Sequence, residues 1–191
     1  MSRLFLGNAF AFALICTFNA SFGLADSAQD DGLKQGDSIG VFYVTKVAGA
    51  DDDGVEPGED LCYRCRYGSR PMVMVFARET GGKVNELLKA IDSAIIANEE
   101  EGLRGLLTLM GEDAAQLKEQ AGEIAKEGVI KRVPLSVAKD TQNGPINYKL
   151  SRDAPVTIVL AKDSQVVTTH TFKAGAIDVG AVMKEVKEML N

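Results

Sequence analysis

The sequence predicts an α/β domain, a three-layer α/β/α sandwich built on a mixed central sheet. Three observations carry this. Strand-like and helix-like periodicities alternate through the middle of the chain. Residues 72–77, Met-Val-Met-Val-Phe-Ala, form a short unbroken apolar run, as in a strand buried on both faces. The last quarter reads as a hairpin followed by an amphipathic helix.

Each element follows from its residues. Residues 39–47 are β-rich, and 48–70 form a long loop carrying Asp51-Asp52-Asp53-Gly54 and Pro57-Gly58. After the 72–77 strand, Val84, Leu87, Leu88, Ile91 and Ile95 recur at helical spacing and predict a helix over 84–97. Residues 103–109 are a second strand. Ala114, Leu117, Ala121 and Ile124 mark a helix over 114–126, started by the acidic Glu112-Asp113. Residues 133–137 read as a short strand, and Asn143-Gly144-Pro145 as a turn before one helical turn ending near Leu150. Strands at 156–160 and 166–172 flank the turn Lys162-Asp163-Ser164. The stripe Val179, Val182, Met183, Val186, Met189 and Leu190 closes the chain as a helix over 178–190. These three helices are expected to cover the sheet on both faces.

The first 25 residues read as a signal peptide. Arg3 supplies a positive start, an apolar run follows, and Gly23-Leu24-Ala25 supplies small residues before Asp26. The alternative is an uncleaved anchor, since residues 4–25 nearly reach the length of a membrane span; Asn8 and Asn19 weaken it. Lipidation at Cys16 is disfavoured by the large Ile15 before it and the apolar residues after it. Cleavage leaves a polar, flexible stretch over 26–37, a domain over 38–191 and no stable membrane span. The compartment is then periplasmic or secreted.

Composition narrows the function. The 191 residues are 46% hydrophobic and 25% charged, which suits one packed domain rather than a disordered chain. A net charge of −6 argues against nucleic-acid partners, whose phosphates need a basic footprint. It argues equally against docking on an anionic membrane.

Cys62-Tyr63-Arg64-Cys65 is the chief chemical motif, and its two thiols are the only ones left once the leader is removed. Three readings stand. The pair is a redox-active dithiol, with Arg64, Arg66 and Arg70 favouring a thiolate. Or it is a structural disulfide pinning the long loop against the strand near Pro71. Or it binds metal, which needs ligands beyond two thiols and one histidine. No metal or cofactor is expected. His170 shares its predicted strand face with Val166, Thr168 and Phe172 and reads as a packed or surface residue. The Asp51–Asp53 stretch is a solvated acidic loop, since it lacks the full calcium-loop pattern. Thr80-Gly81-Gly82-Lys83 copies only part of a phosphate loop and reads as a turn into the helix.

Three features resemble the thioredoxin-like fold, in its redoxin branch of peroxiredoxins and TlpA-like proteins. Ala154-Pro155-Val156-Thr157 stands directly before the first hairpin strand. Val133-Pro134-Leu135-Ser136, Asp140 and Tyr148-Lys149-Leu150 look like the connection redoxins insert there. The 72–77 strand with its helix looks like the strand leading into the redoxin active site. The resemblance implies a cis-proline at Pro155, with the Ala154–Pro155 backbone free to pair with an extended peptide. It also implies cysteine after the 72–77 strand, where this chain has Thr80-Gly81-Gly82-Lys83, and a pair that precedes the strand lacks the helix N-terminus thiol reductants use. The expected function is an exported thioredoxin-like protein, a thiol–disulfide oxidoreductase using Cys62 and Cys65 on an extended peptide or thiol protein. The alternative is a non-catalytic binding or structural module holding a structural disulfide.

Overall fold

The middle strand of the molecule explains the rest. All six residues of Met72–Ala77 are buried, and they pair in parallel on one side and antiparallel on the other. A strand hydrogen-bonded along both edges and packed on both faces must be apolar throughout. The computed structural model describes Met1, residues 32–173 and residues 175–191; the rest of the expected signal peptide and its expected cleavage boundary lie outside the described residues.

In chain order the elements are β1 (Val44–Ala48), β2 (Asp60–Leu61), α1 (Tyr63–Tyr67), β3 (Met72–Ala77), α2 (Gly82–Ala97), β4 (Arg104–Leu109), α3 (Ala114–Lys126) and β5 (Leu135–Ala138). A 3₁₀ turn at Ile146–Tyr148, β6 (Val156–Lys162), β7 (Gln165–Phe172) and α4 (Val179–Leu190) complete the chain. Among the described residues seven strands form one mixed sheet in the order β2-β1-β5-β4-β3-β6-β7. Two segments read as irregular are in fact structured. The 48–70 loop contains β2 and α1, and residues 32–37 make backbone hydrogen bonds to the rest of the fold. Leu33 is buried, and the Gly36 and Ile39 amides donate to the carbonyls of Val166 and Ser164. A composition-based boundary misses this, because the stretch is held mainly through backbone groups.

The three long helices share one face of the sheet instead of covering both. Leu87, Leu88 and Ile91 of α2, Leu117, Ala121 and Ile124 of α3, and Val182 and Val186 of α4 pack with Val73, Val75 and Ala77 of β3. The cause is topological. β3, β4 and β5 are parallel and step across the sheet in one direction, so right-handed crossovers put α2 and α3 on the same side. Gly105 lets α2 lie close, since a Cβ there would meet the Ile91 side chain at 2.8 Å. The opposite layer is assembled from shorter pieces. Met72, Met74 and Phe76 meet Leu33, Ile39, Phe42, Tyr63, Tyr67 and Tyr148. Phe42, Phe76 and Tyr148 form an aromatic triplet with centroid separations of 5.5, 5.1 and 5.2 Å.

The β6–β7 hairpin turns through Asp163 and Ser164, with φ of 55° and 64°. A register shift opposite Leu160 and Ala161 inserts Val167 as an extra residue. The bulge reverses the alternation, so Val166 joins the second core while Phe172 packs on the helical face, contrary to the single face expected for both.

Candidate functional site

Cys62 and Cys65 are joined as a disulfide, with Cα atoms 5.2 Å apart. The pair does open a helix, contrary to expectation, although α1 is only five residues long. Cys62 has extended backbone (φ −110°, ψ 98°) and caps α1, its Sγ accepting from the Cys65 amide at 3.1 Å. Cys62 is 7% exposed, whereas Cys65 faces solvent.

Every other residue of α1 is anchored independently of the sulfur bridge. Tyr63 donates its hydroxyl to Asp53 Oδ2 at 2.6 Å. Arg64 Nε donates to the Ile39 carbonyl at 3.2 Å, and Arg66 Nη2 to the Asp53 carbonyl at 2.6 Å. The Tyr67 hydroxyl donates to the Gly105 carbonyl at 3.1 Å, fixing α1 to the sheet. The arginines therefore lie near the cysteines but serve first as backbone anchors.

Beneath α1 lies a polar cluster that sequence reasoning missed. Lys46 is 2% exposed, yet its Nζ donates to Asp53 Oδ1 at 2.8 Å, to the Ala50 carbonyl at 3.0 Å and to the Val55 carbonyl at 2.8 Å. All three ammonium donors are thus filled, as a buried cation requires. Asp53 also accepts from the Val55 amide at 2.8 Å. The acidic stretch is not simply a solvated loop: Asp53 is half of this cluster, and Asp52 pairs with Arg132. Burial, and then the bond to Asp53, push the Tyr63 phenol far above its ordinary range. One signal was available in the sequence: Lys46 is two residues from Val44, on the strand face that carries buried side chains.

The position after β3, where the resemblance implies cysteine, is a turn. Thr80-Gly81-Gly82-Lys83 forms the turn into α2, with Gly81 and Gly82 at φ 87° and 42°. Arg78 directly follows β3, and its Nη1 donates to the Gln142 carbonyl at 2.8 Å. Burial, and then the neighbouring Arg152, lower the Arg78 pKa. No peptide bond among the described residues is cis, so Ala154–Pro155 is trans, correcting the expected cis-proline. Pro155 immediately precedes β6, where its missing N–H costs no ladder bond. Its carbonyl accepts from the Arg78 amide at 2.7 Å, so that backbone acceptor is already used within the chain. Ala154 beside it is buried.

The structure does not bring the predicted site residues together. Pro155 stands beside the C-terminal end of β3, where Val156 pairs with Ala77. The chain leaving α1 enters the N-terminal end of β3, and the Ser69 carbonyl accepts from Asp163 at the far end of the hairpin. The six residues of β3 separate these two ends. Among the described residues no group of three or more His, Cys, Asp or Glu is placed to hold a metal ion, and no helix is long and apolar enough to cross a membrane. His170 is a partly exposed tie between β7 and α4, with its Nε2 2.6 Å from Glu185 Oε2. An open apolar groove lies between Val41, Tyr43 and Ile146 on the second face, with Tyr43 60% and Ile146 80% exposed.

The strand order decides the fold. The fold is thioredoxin-like, and it is similar to that of solved redoxins. A protein named as a thiol:disulfide interchange protein, DsbE, from Chlorobium tepidum superposes with a TM-score of 0.59 at 14% identity, covering 83% of this chain and 99% of that one. AhpC from Mycobacterium bovis gives 0.61 at 13% identity over 83% and 98%. Thiol peroxidase from Chromobacterium violaceum gives 0.52 at 14% identity over 83% and 89%. No family model and no curated protein matches the sequence. This chain departs from the redoxin pattern at its centre, because the slot after β3 holds no thiol and the one CxxC pair lies before β3.

Proposed function

We propose that this redoxin-fold protein carries out thiol–disulfide exchange at Cys62–Cys65, a site displaced from the fold's usual slot. One observation carries the reading: the disulfide joins two residues of a single helical turn that four other side chains already anchor, and Cys65 is open to solvent. A staple that fastens the long loop to the β3 strand would have to reach across the fold, and this one does not. An exposed bond in a small ring is the kind that exchanges readily. The similar structures include proteins named for thiol:disulfide interchange and for thiol peroxidase activity, which agrees with this chemistry without assigning it.

The reading includes export, motivated by the leader pattern over residues 1–25 and by a disulfide that needs an oxidising compartment. N-terminal sequencing of the native protein is expected to begin at Asp26; an intact Met1 would remove this part. The exchange itself is tested by equilibrating the protein with glutathione buffers and trapping free thiols. A potential of about −120 to −270 mV, the range of known exchange proteins, is expected. A value below roughly −300 mV would return the pair to a structural role.

A second reading, a non-catalytic binding module, draws on the thiol-free slot and on the apolar groove at Val41, Tyr43 and Ile146. It becomes the better account if the bond resists glutathione.

A further inference from the structure

The two cysteines of the pair differ in exposure, and the difference bears on which sulfur is attacked. We infer that an incoming thiol attacks Cys65, and that Cys62 is the sulfur that departs and later resolves the mixed disulfide; this rests on the exchange reading above. Two independent observations agree. Cys65 is an exposed residue while Cys62 is 7% exposed, so an incoming thiol meets Cys65 first. The Cys65 amide donates to Cys62 Sγ at 3.1 Å, so a donor already faces the sulfur on which negative charge would develop.

In the step, the incoming thiolate forms a bond to Cys65 Sγ as the Cys62–Cys65 bond breaks. The electron pair leaves on Cys62, which becomes a thiolate held by the Cys65 amide. The incoming thiol is thereby oxidised to a mixed disulfide, and Cys62 is reduced. Attack by Cys62 on Cys65 Sγ reverses the step and expels the bound group as its thiolate. A second external thiol instead attacks the substrate sulfur, releasing a substrate disulfide and leaving Cys65 reduced. The amide that serves Cys62 is a main-chain group, so it survives substitution of either cysteine side chain.

Cys62→Ser and Cys65→Ser each leave one thiol to be compared. Reacted with excess 5,5′-dithiobis(2-nitrobenzoate), the Cys65 thiol of Cys62→Ser is expected to react about tenfold or more faster than the Cys62 thiol of Cys65→Ser, because reactivity follows exposure. Wild-type protein quenched with acid during reduction by glutathione should carry the glutathione on Cys65 by peptide mapping. Equal rates, a faster Cys62, or an adduct on Cys62 would overturn the assignment. If either variant fails to fold by circular dichroism, the adduct mapping decides alone. Rates that differ as expected, together with a wild-type bond that resists glutathione, would sink the exchange reading and leave the difference between the sulfurs intact.

Discussion

Tyr63 shows how much one buried residue does here. Its ring fills the second core against Tyr67, with centroids 5.6 Å apart, and its hydroxyl closes the Lys46–Asp53 cluster. Tyr67 and Tyr148 are also buried, and burial raises all three phenols well above their ordinary range. The sign follows from proton linkage. The folded state binds these protons more tightly than the unfolded state, whose phenols titrate near about pH 10. The stabilisation is therefore complete below that value and is lost as pH rises above it. Alkaline titration followed by tyrosinate absorbance and by circular dichroism should show these three phenols ionising only as the fold is lost. Ionisation of all four tyrosines with native circular dichroism would refute their placement.

At the scale of elements, α4 carries the clearest test. Asp178 caps it by accepting from the Ala181 amide at 2.9 Å, and Val182, Val186 and Met189 bury one stripe against β6 and α2. Val182 is 1% exposed, so Val182→Asp would place a carboxylate in an apolar layer without a partner. A loss of about 3 kcal/mol or more is expected in urea unfolding. An unchanged midpoint would show that α4 does not pack as described. α2 is held by different means. Asp92 is buried within its apolar stripe and accepts from the Lys131, Arg132 and Val133 amides at 2.9, 2.6 and 3.1 Å, fastening the approach to β5. An acid set among Leu88, Ile91 and Ile95 is a visible irregularity in sequence, but its three amide partners lie about forty residues away.

For the whole molecule, the disulfide should matter little to stability. It closes a ring of only four residues, for which the loss of unfolded-chain entropy amounts to about 2 kcal/mol. The anchoring of α1 by Tyr63, Arg64, Arg66 and Tyr67 persists without it. Reduced and oxidised protein, compared by urea denaturation, are expected to differ by about 2 kcal/mol or less. Loss of the native fold on reduction would make the bond structural after all. A redoxin fold that stays folded when reduced can cycle between two thiol states, which an exchange function requires.

The sequence by itself determined the elements and the fold class. Apolar periodicity is a local property, and it located β3, β4, α2, α3, the hairpin and α4 to within a few residues. It also showed that the slot after β3 has no cysteine. Only the tertiary structure decided what surrounds the chemistry. Short α1 and two-residue β2 lack a periodic signal and exist because Tyr63 and Tyr67 find a core to fill. The placement of α2 and α3 on one face follows from strand order, which no local pattern encodes, and α4 joins them there through its packing with α2. The Ala154–Pro155 bond is trans, and the Pro155 carbonyl pairs with the Arg78 amide, seventy-seven positions away in the chain. The difference between Cys62 and Cys65 has the same origin. Two identical side chains three residues apart are indistinguishable by composition, and it is packing against the rest of the fold that buries one and leaves the other in solvent.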